Sequence, residues 1–484
     1  MKKTIKSKDT SIKWEPHKYQ KKASKFLIDN KEAALFLDPG LGKTAITLNA
    51  IAKLKSQKKI NRVLIVAPLL VCYSVWPNEI KKWSQFNKLS VEICHNKNKQ
   101  KALESNCDIM LINYEMISWL FSLKGGGLNS INKIKKAGFD VLVFDELSKM
   151  KNSSSNRFKA IKNLLNAFKY RWGLTGSPAA NGLMDLFGEC FMLDMGKALG
   201  RYITHFRNEY FMSVDPKGVI WKSLSGSAEK IFDKIKHLAL RMKAEDYLDM
   251  PDIIYNNIYV ELDKKSREIY DEMEKEFIIA INDKIVTAAN AAVVGGKCRQ
   301  ICSGAIYTYD KFEDFDKDTF EIIHNLKIEA LLNLIEELQG KQLLVGYEFS
   351  HEKERLQKAL SKGYNAEFLK SRSVSSNDIV DAWNKGQIDI LIGQPQSMGH
   401  GLNLQGSNCA HICWFTPTWN FELYDQFNRR IYRQGNKTDK IIVHTIIIKD
   451  TIDEVVQWAL KAKNNQQNNL FNALVDYAKS KKII

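Results

Sequence analysis

"EAALFLDPGLGKTAITLNAIAKLK", residues 32–55, sets the architecture of this 484-residue chain. After Glu32 the first residues are small or apolar without polar alternation, the pattern of a strand buried on both faces of a parallel sheet. The segment from Lys43 onward reads as a helix. A glycine-rich loop between strand and helix is the setting of a phosphate-gripping turn. Gly40 and Gly42, flanking Leu41, let the backbone amides turn toward phosphates. Lys43 would reach the β and γ phosphates and Thr44 would ligate Mg²⁺. Leu37 stands where such a loop ordinarily carries its first glycine, so taken alone the stretch also reads as a glycine-rich turn. That position lies at the strand end, away from the amides that would do the gripping.

The same strand pattern recurs in "RVLIVAP", "CDIMLINY", "DVLVFDE" and "YRWGLTGSP". A second series follows much later: "KQLLVGYE", "YNAEFLK", "DILIGQPQ", "AHICWFTP" and "KIIVHTII". Apolar runs alternating with helical patterns define an α/β protein. Helix-prone stretches lie between the two series, among them "GSAEKIFDKIKHLALRMKAEDYL" and residues 264–294, separated by the strand-like "DMPDIIYNNIYVEL". The expected organisation is two sheet-bearing lobes, 1–245 with a helical protrusion and 246–450 with a helical insertion at about 261–310, followed by brace helices at 451–484.

Composition narrows the partners. Hydrophobic residues are 44% and charged residues 26%, the balance of a soluble globular protein. No apolar run approaches a membrane span and the lysine-bearing N-terminus has no apolar signal segment, so a cytoplasmic protein without membrane contact is expected. The net charge of +17 points to a polyanion, nucleic acid before membrane, although lysine richness also follows from an A·T-rich genome. Eight cysteines occur with no CxxC pair. In "CAHIC" alternation would place Cys409, His411 and Cys413 on one face of a strand, a buried structural group rather than a metal site.

About a hundred residues after the glycine loop, "FDVLVFDELSKMKN" ends an apolar strand in Asp145 and Glu146. One carboxylate there can hold Mg²⁺ and the next can orient an attacking water. The alternative is a strand ending in a solvated acidic turn.

With both elements in place the chain resembles superfamily-two nucleic-acid motors, and within them the Swi/Snf-like ATPases of compact, phage or mobile-element type. "PHKYQ" is similar to the Q segment, which implies Gln20 as an adenine reader. "LDPGLGKT" resembles the family's DEMGLGKT, where the same first glycine is absent. "VLIVAPLLVCYSVWPNEIKKW" resembles motif Ia, "LINYEMI" motif Ib, "DELSKMKN" motif II, and "LTGSPAANGLMDLF" the family's LTGTPLQNNLEELW. Farther on, "CRQICSG" resembles LRQICNH, "SMGHGLNLQGSN" motif V, and "WNFELYDQFNRRIYRQGNKT" motif VI. The departures are Ser148 and Tyr432 where the family has histidine, Asn436 where it has glutamine, and the His-Lys of the Q segment.

The resemblance implies two RecA-like lobes and an ATP hydrolase using ATP and Mg²⁺. Lys43, Asp145 and Glu146 would serve catalysis on the first lobe, and Arg430 and Arg433 would supply cations from the second. Gln20, Gly40, Leu41, Gly42, Lys43, Thr44 and Gly401 would bind the nucleotide, with Thr44 and Asp145 on the metal. Thr175 and Ser177 would couple hydrolysis to lobe movement. Pro68, Asn113, Tyr114 and Asn403 are candidate contacts to a phosphate backbone. Trp119, Trp383 and Trp419 read as packing rather than base stacking. The implied partner is double-stranded DNA, tracked by a monomer without full strand separation, with a nuclease or replication protein supplied in trans. A strand-separating DNA or RNA helicase is the alternative, and an ATP-operated binding switch the second.

Overall fold

A computed structural model describes residues 12–122, 126–176, 178–179, 182–213, 221–282, 288–308, 319–361, 363–369, 376–398 and 402–461. Ser177, Gly401 and brace residues 462–484 lie outside the described residues. The chain divides into two compact units, Met1–Leu248 and Asp249–Ile484.

In the first unit the strands are β1 (Glu32–Leu37), β2 (Arg62–Ala67), β3 (Val91–Ile93), β4 (Ile109–Asn113), β5 (Phe139–Asp145), β6 (Tyr170–Thr175), β7 (Phe211–Ser213), β8 (Trp221–Ser223) and β9 (Ala239–Met242). Seven of them form one sheet in the order β3-β4-β2-β5-β6-β1-β9, parallel throughout, while β7 and β8 pair as a separate antiparallel ribbon. The non-alternating strands expected from the sequence are β1, β2, β4, β5 and β6, and nearly every residue in them is buried. Helices cover the sheet, as parallel crossovers require. The helix α1 (Lys18–Asp29) packs on α2 (Lys43–Ser56), tied by Asn49 Nδ2 donating to Ser24 Oγ at 2.8 Å.

One helix-prone stretch is shorter than expected. The helix Ser227–Ile235 stops, and Ala239–Met242 becomes β9, paired with β1 in the register Ala34↔Ala239 to Leu37↔Met242. The backbone of β1 needs partners on its second side, and that requirement overrides the helix propensity of four residues.

The second unit contributes β10 (Asp252–Val260), β11 (Ala305–Tyr307), β12 (Phe320–Ile322), β13 (Leu343–Gly346), β14 (Ala366–Phe368), β15 (Ile390–Gly393), β16 (His411–Trp414) and β17 (Lys440–Ile448). Six form a second all-parallel sheet in the order β10-β17-β16-β13-β15-β14, with β11 and β12 a short antiparallel pair. Both sheets are thus parallel α/β layers, the fold class expected. The insertion is two helices, Lys264–Asn282 and Ala288–Ser303, packed on each other.

The "CAHIC" group departs from its expected single face. His411 and Cys413, two positions apart on β16, share a face, with His411 Nδ1 3.2 Å from His444 Nε2, but Cys409 precedes the strand and belongs to the hydrophobic cluster of Leu344 and Trp383 rather than to that of Cys413. A turn explains the difference: the Cys409 amide donates to Ser407 Oγ at 3.3 Å, so strand periodicity has not begun there. All eight cysteines are buried and unpaired.

Candidate active site at the carboxyl edge of the first sheet

Because the strands of the first sheet run parallel, the segments leaving β1, β2, β4, β5 and β6 gather along one edge. This is the edge where open α/β sheets bind ligands. The segment after β1 turns on two left-handed glycines, Gly40 at φ 94° and Gly42 at φ 81°, and Gly42 is the N-cap of α2. A side chain at either position would strain the turn. Lys43 opens the helix and folds back over the loop, donating from Nζ to the carbonyls of Leu37 at 2.7 Å and Asp38 at 3.4 Å. Residue 37 therefore serves the loop through its carbonyl, which leucine offers as well as glycine. Leu41 is fully buried and Thr44 is half-buried in the first turn of α2.

Gln20, on α1, is buried against this loop. Its Nε2 donates to Leu41 O at 3.3 Å and its Oε1 accepts from the His17 amide at 3.0 Å. A methyl group on Gly42 would lie 2.7 Å from Gln20 Nε2, so side chain and loop are in close contact.

The acidic pair closes β5. Asp145 Oδ2 accepts from the indole N–H of Trp76 at 2.8 Å. Burial pushes the Asp145 carboxyl up to about 6, with the neighbouring Glu146 adding to the rise while Trp76 and Lys43 oppose it. Glu146 has φ 75°, rare for a residue with a side chain. Its amide donates to Leu174 O at 2.8 Å, and its carboxylate Oε1 accepts from both Ser148 Oγ and Thr175 Oγ1 at 3.0 Å. Thr175 is fully buried at the end of β6. Just beyond it, a methyl group on Gly176 would lie 2.9 Å from Pro39 Cδ, so the segments after β1 and β6 touch. The structure thus brings together the loop, the acidic pair and Thr175.

The first-lobe candidates for phosphate-backbone contact fare differently from one another. Pro68 is half-buried immediately after β2, its carbonyl accepting from the Cys72 amide at 3.0 Å. Asn113 is buried and donates from Nδ2 to Glu115 Oε2 at 2.5 Å. Tyr114 is 3% exposed, and its hydroxyl donates to Asp145 O at 3.0 Å and Glu146 O at 2.8 Å. Its side chain faces the acidic pair, not the surface. Neither that role nor the role of Trp76 was read from the sequence. An aromatic at a strand end reads equally as core or as contact.

Within the second unit Asn403, Arg430 and Arg433 come together. Arg430 Nη1 donates to Leu402 O and Arg433 Nη1 to Asn403 Oδ1, each at 3.1 Å. Both arginines follow the helix Phe421–Asn428, and desolvation lowers the Arg433 pKa from its ordinary value. Asn436 donates to Cys409 O at 3.0 Å and Ile431 O at 3.1 Å, which fixes the turn that carries them. Trp383 is fully buried with its N–H on Leu404 O at 3.2 Å. Trp119 and Trp419 pack on core clusters, as expected of structural tryptophans.

A nucleotide-gripping loop, a paired carboxylate and a hydroxyl at adjoining ends of a parallel sheet, followed by a second parallel-sheet lobe, define a helicase-type ATP hydrolase. The SNF2-related domain matches residues 19–305 and the helicase conserved C-terminal domain matches residues 326–435. The chain belongs to this family, the SNF2-related ATPases.

Among its relatives, protein p41 of Acyrthosiphon pisum secondary endosymbiont phage 1 is 33% identical over 95% of this chain and 98% of its own length. An uncharacterized ATP-dependent helicase of Mycoplasma genitalium is 26% identical over 95% of this chain, which spans only 42% of that protein. Among solved structures, the Sulfolobus solfataricus SWI2/SNF2 ATPase core in complex with dsDNA is 22% identical, covering 94% of this chain and 93% of that one, with a TM-score of 0.44. Among the described residues no helix is long and apolar enough to cross a membrane.

Proposed function

We propose that the protein is a duplex-DNA-stimulated ATPase that moves along or remodels double-stranded DNA without fully separating its strands. The observation that carries the ATPase chemistry is the meeting of Lys43, Asp145, Glu146 and Thr175 at one sheet edge. ATP is the substrate. Lys43 neutralises its β and γ phosphates, Gln20 reads the base beside the loop, and Glu146, steadied by Ser148 and Thr175, orients the attacking water.

The donor set suits a hard cation, because Thr44 offers a hydroxyl and Asp145 a carboxylate whose second oxygen is already held by Trp76. A dication there would also restore the ionised form of a carboxyl that burial otherwise disfavours. Mg²⁺ bound to Thr44 and Asp145 would supply charge neutralisation at the transferring phosphoryl group. To Arg430 and Arg433 of the second lobe the family resemblance assigns the role of further cations in turnover.

Two facts support DNA as the polymer: the +17 net charge and membership of a family whose resemblance implied duplex DNA. Pro68, immediately after β2, and Asn403, in the segment that follows the helix Pro395–Met398, remain candidate contacts, since part of the surface of each is open. The protein works as a monomer in the cytoplasm of a bacterium or an infected host, with any nuclease or replication partner acting in trans.

A strand-separating helicase is the second reading, favoured by the name of the Mycoplasma relative. Displacement of a third, triplex-forming strand from intact duplex separates the two. ATP-dependent triplex displacement with the duplex preserved is the expected result. Duplex unwinding without triplex displacement would establish the helicase instead.

A further inference from the structure

The segments after β2 and β4 resemble motifs Ia and Ib, and each sends one aromatic side chain inward, Trp76 and Tyr114, while Tyr73 stays exposed. Trp76 is fully buried and gives its N–H to the Asp145 carboxylate at 2.8 Å. Tyr114 is buried and gives its hydroxyl to two successive carbonyls, those of Asp145 at 3.0 Å and Glu146 at 2.8 Å. Strand order makes this possible: β2 lies between β4 and β5, with Asn113 beside Ala67 and Val66 beside Phe144. The segment leaving β4 therefore reaches past the end of β2 to the end of β5. Arg157, from the helix that follows the acidic segment, stands 5.9 Å from the Tyr114 ring centre.

Two different donors thus hold two different parts of one acidic turn. One fixes the side chain of Asp145. The other fixes the peptide units on either side of the strained Glu146. Loss of a buried hydrogen bond is costly, which favours the donors and the acidic turn moving together, although the Glu146 carbonyl also accepts from the Lys149 amide at 3.0 Å.

We propose that Trp76 and Tyr114 are positioning residues that couple occupancy of the β2 and β4 ends by nucleic acid to the placement of Asp145 and Glu146. This rests on the reading that the ATPase is stimulated by nucleic acid. Both side chains are buried, so the role assigned to them is to position the acidic turn rather than to contact the polymer. Nucleic acid bound over Pro68 and its neighbours would shift the two segments, and the phenol and indole would carry that shift to the acidic turn.

Tyr114→Phe removes one oxygen and keeps the ring, so it tests the link with little change in volume. The full chain is assayed for equilibrium binding of a fluorescent ATP analogue, for basal kcat, for kcat at saturating duplex DNA, and for the DNA concentration giving half-stimulation. In Tyr114→Phe the ratio of stimulated to basal kcat is expected to fall about fivefold to tenfold. Analogue affinity and the half-stimulating DNA concentration should each stay within about twofold. Trp76→Phe, an independent removal of the other donor, should lower the same ratio.

A ratio unchanged within about twofold in both variants overturns the proposal. So does an equal fall of basal and stimulated rates, which marks a merely structural role. A rise in the half-stimulating DNA concentration at constant ratio overturns it too, and makes Tyr114 a contact residue. A wild-type protein that no nucleic acid accelerates would sink the functional reading itself, and this proposal with it. Stimulated wild type with unaffected variants sinks the proposal alone.

Discussion

Glu146 is the residue on which the chemistry turns, and its backbone is the least comfortable in the site. A left-handed conformation costs a residue with a side chain about 1–2 kcal/mol. Here the hydrogen bond from its backbone N–H to the Leu174 carbonyl and the Tyr114 hydroxyl on its own carbonyl hold it in place. Replacing Glu146 with Gln should leave ATP binding near wild type and reduce turnover by roughly two orders of magnitude or more, because the phosphate grip lies elsewhere. Lys43→Ala should weaken both binding and turnover. Parallel equilibrium-binding and single-turnover measurements separate these outcomes, and loss of binding in Glu146→Gln would remove it from its assigned role.

Lys43, Asp145 and Glu146 were legible in the sequence because phosphate chemistry demands those residue types next to strand ends. Tyr114 was not. Strand alternation ends at Asn113, so nothing in the sequence says which way the next side chain turns. Ser148 was legible only as a departure from histidine, and the structure gives its hydroxyl a carboxylate to hold.

At the level of elements, apolar runs announced their strands even where only four residues pair, as in β13, β15 and β16, whereas β3 and β9 did not announce themselves. β3 and β9 carry a charged residue, Glu92 or Arg241, within three or four positions and so show no apolar run, and pairing with β4 and β1 decides them. Packing between elements is equally invisible to pattern reading. A methyl group added at Gly188, on the helix Asp185–Asp194, would run into the backbone carbonyl of Lys151, just past the turn that follows Glu146. Gly188→Ala should therefore destabilise the first lobe by about 1–3 kcal/mol, seen as a lower melting temperature.

In the second lobe Lys327 and Asp453 form a fully buried ion pair at 2.7 Å that joins the helix Leu326–Leu338 to the helix Ile452–Lys461. Lys327→Met would strand the carboxylate and should cost about 3–5 kcal/mol in chemical denaturation. The double replacement with Asp453→Leu should recover only part of that, because Asp453 also accepts the Ile448 amide at 3.2 Å. Full loss in the double variant, equal to that of the single one, would show that the pair is not what holds these helices.

Across the whole molecule, two parallel-sheet units share one polypeptide, and each holds its own set of family residues within itself. Arg430 and Arg433 are held against Leu402 and Asn403, while Lys43 is held on the carbonyls of Leu37 and Asp38, Asp145 on Trp76, and Glu146 on Thr175. Division of labour between the units predicts that Arg430→Ala and Arg433→Ala depress turnover far more than ATP affinity, since guanidinium groups acting on developing charge matter little in the ground state. Equal effects on both would place the arginines in nucleotide binding instead. The net charge of +17 predicts a steep fall of nucleic-acid affinity with salt, with a slope that gives the number of phosphates engaged.

The most direct measurement is the ATP hydrolysis rate of the purified chain against duplex DNA, single-stranded DNA and RNA, with Lys43→Ala alongside. Duplex DNA should give the strongest acceleration, and that acceleration should disappear in the variant. Hydrolysis indifferent to every polymer, strongest on RNA, or surviving the loss of Lys43 would contradict the proposed function.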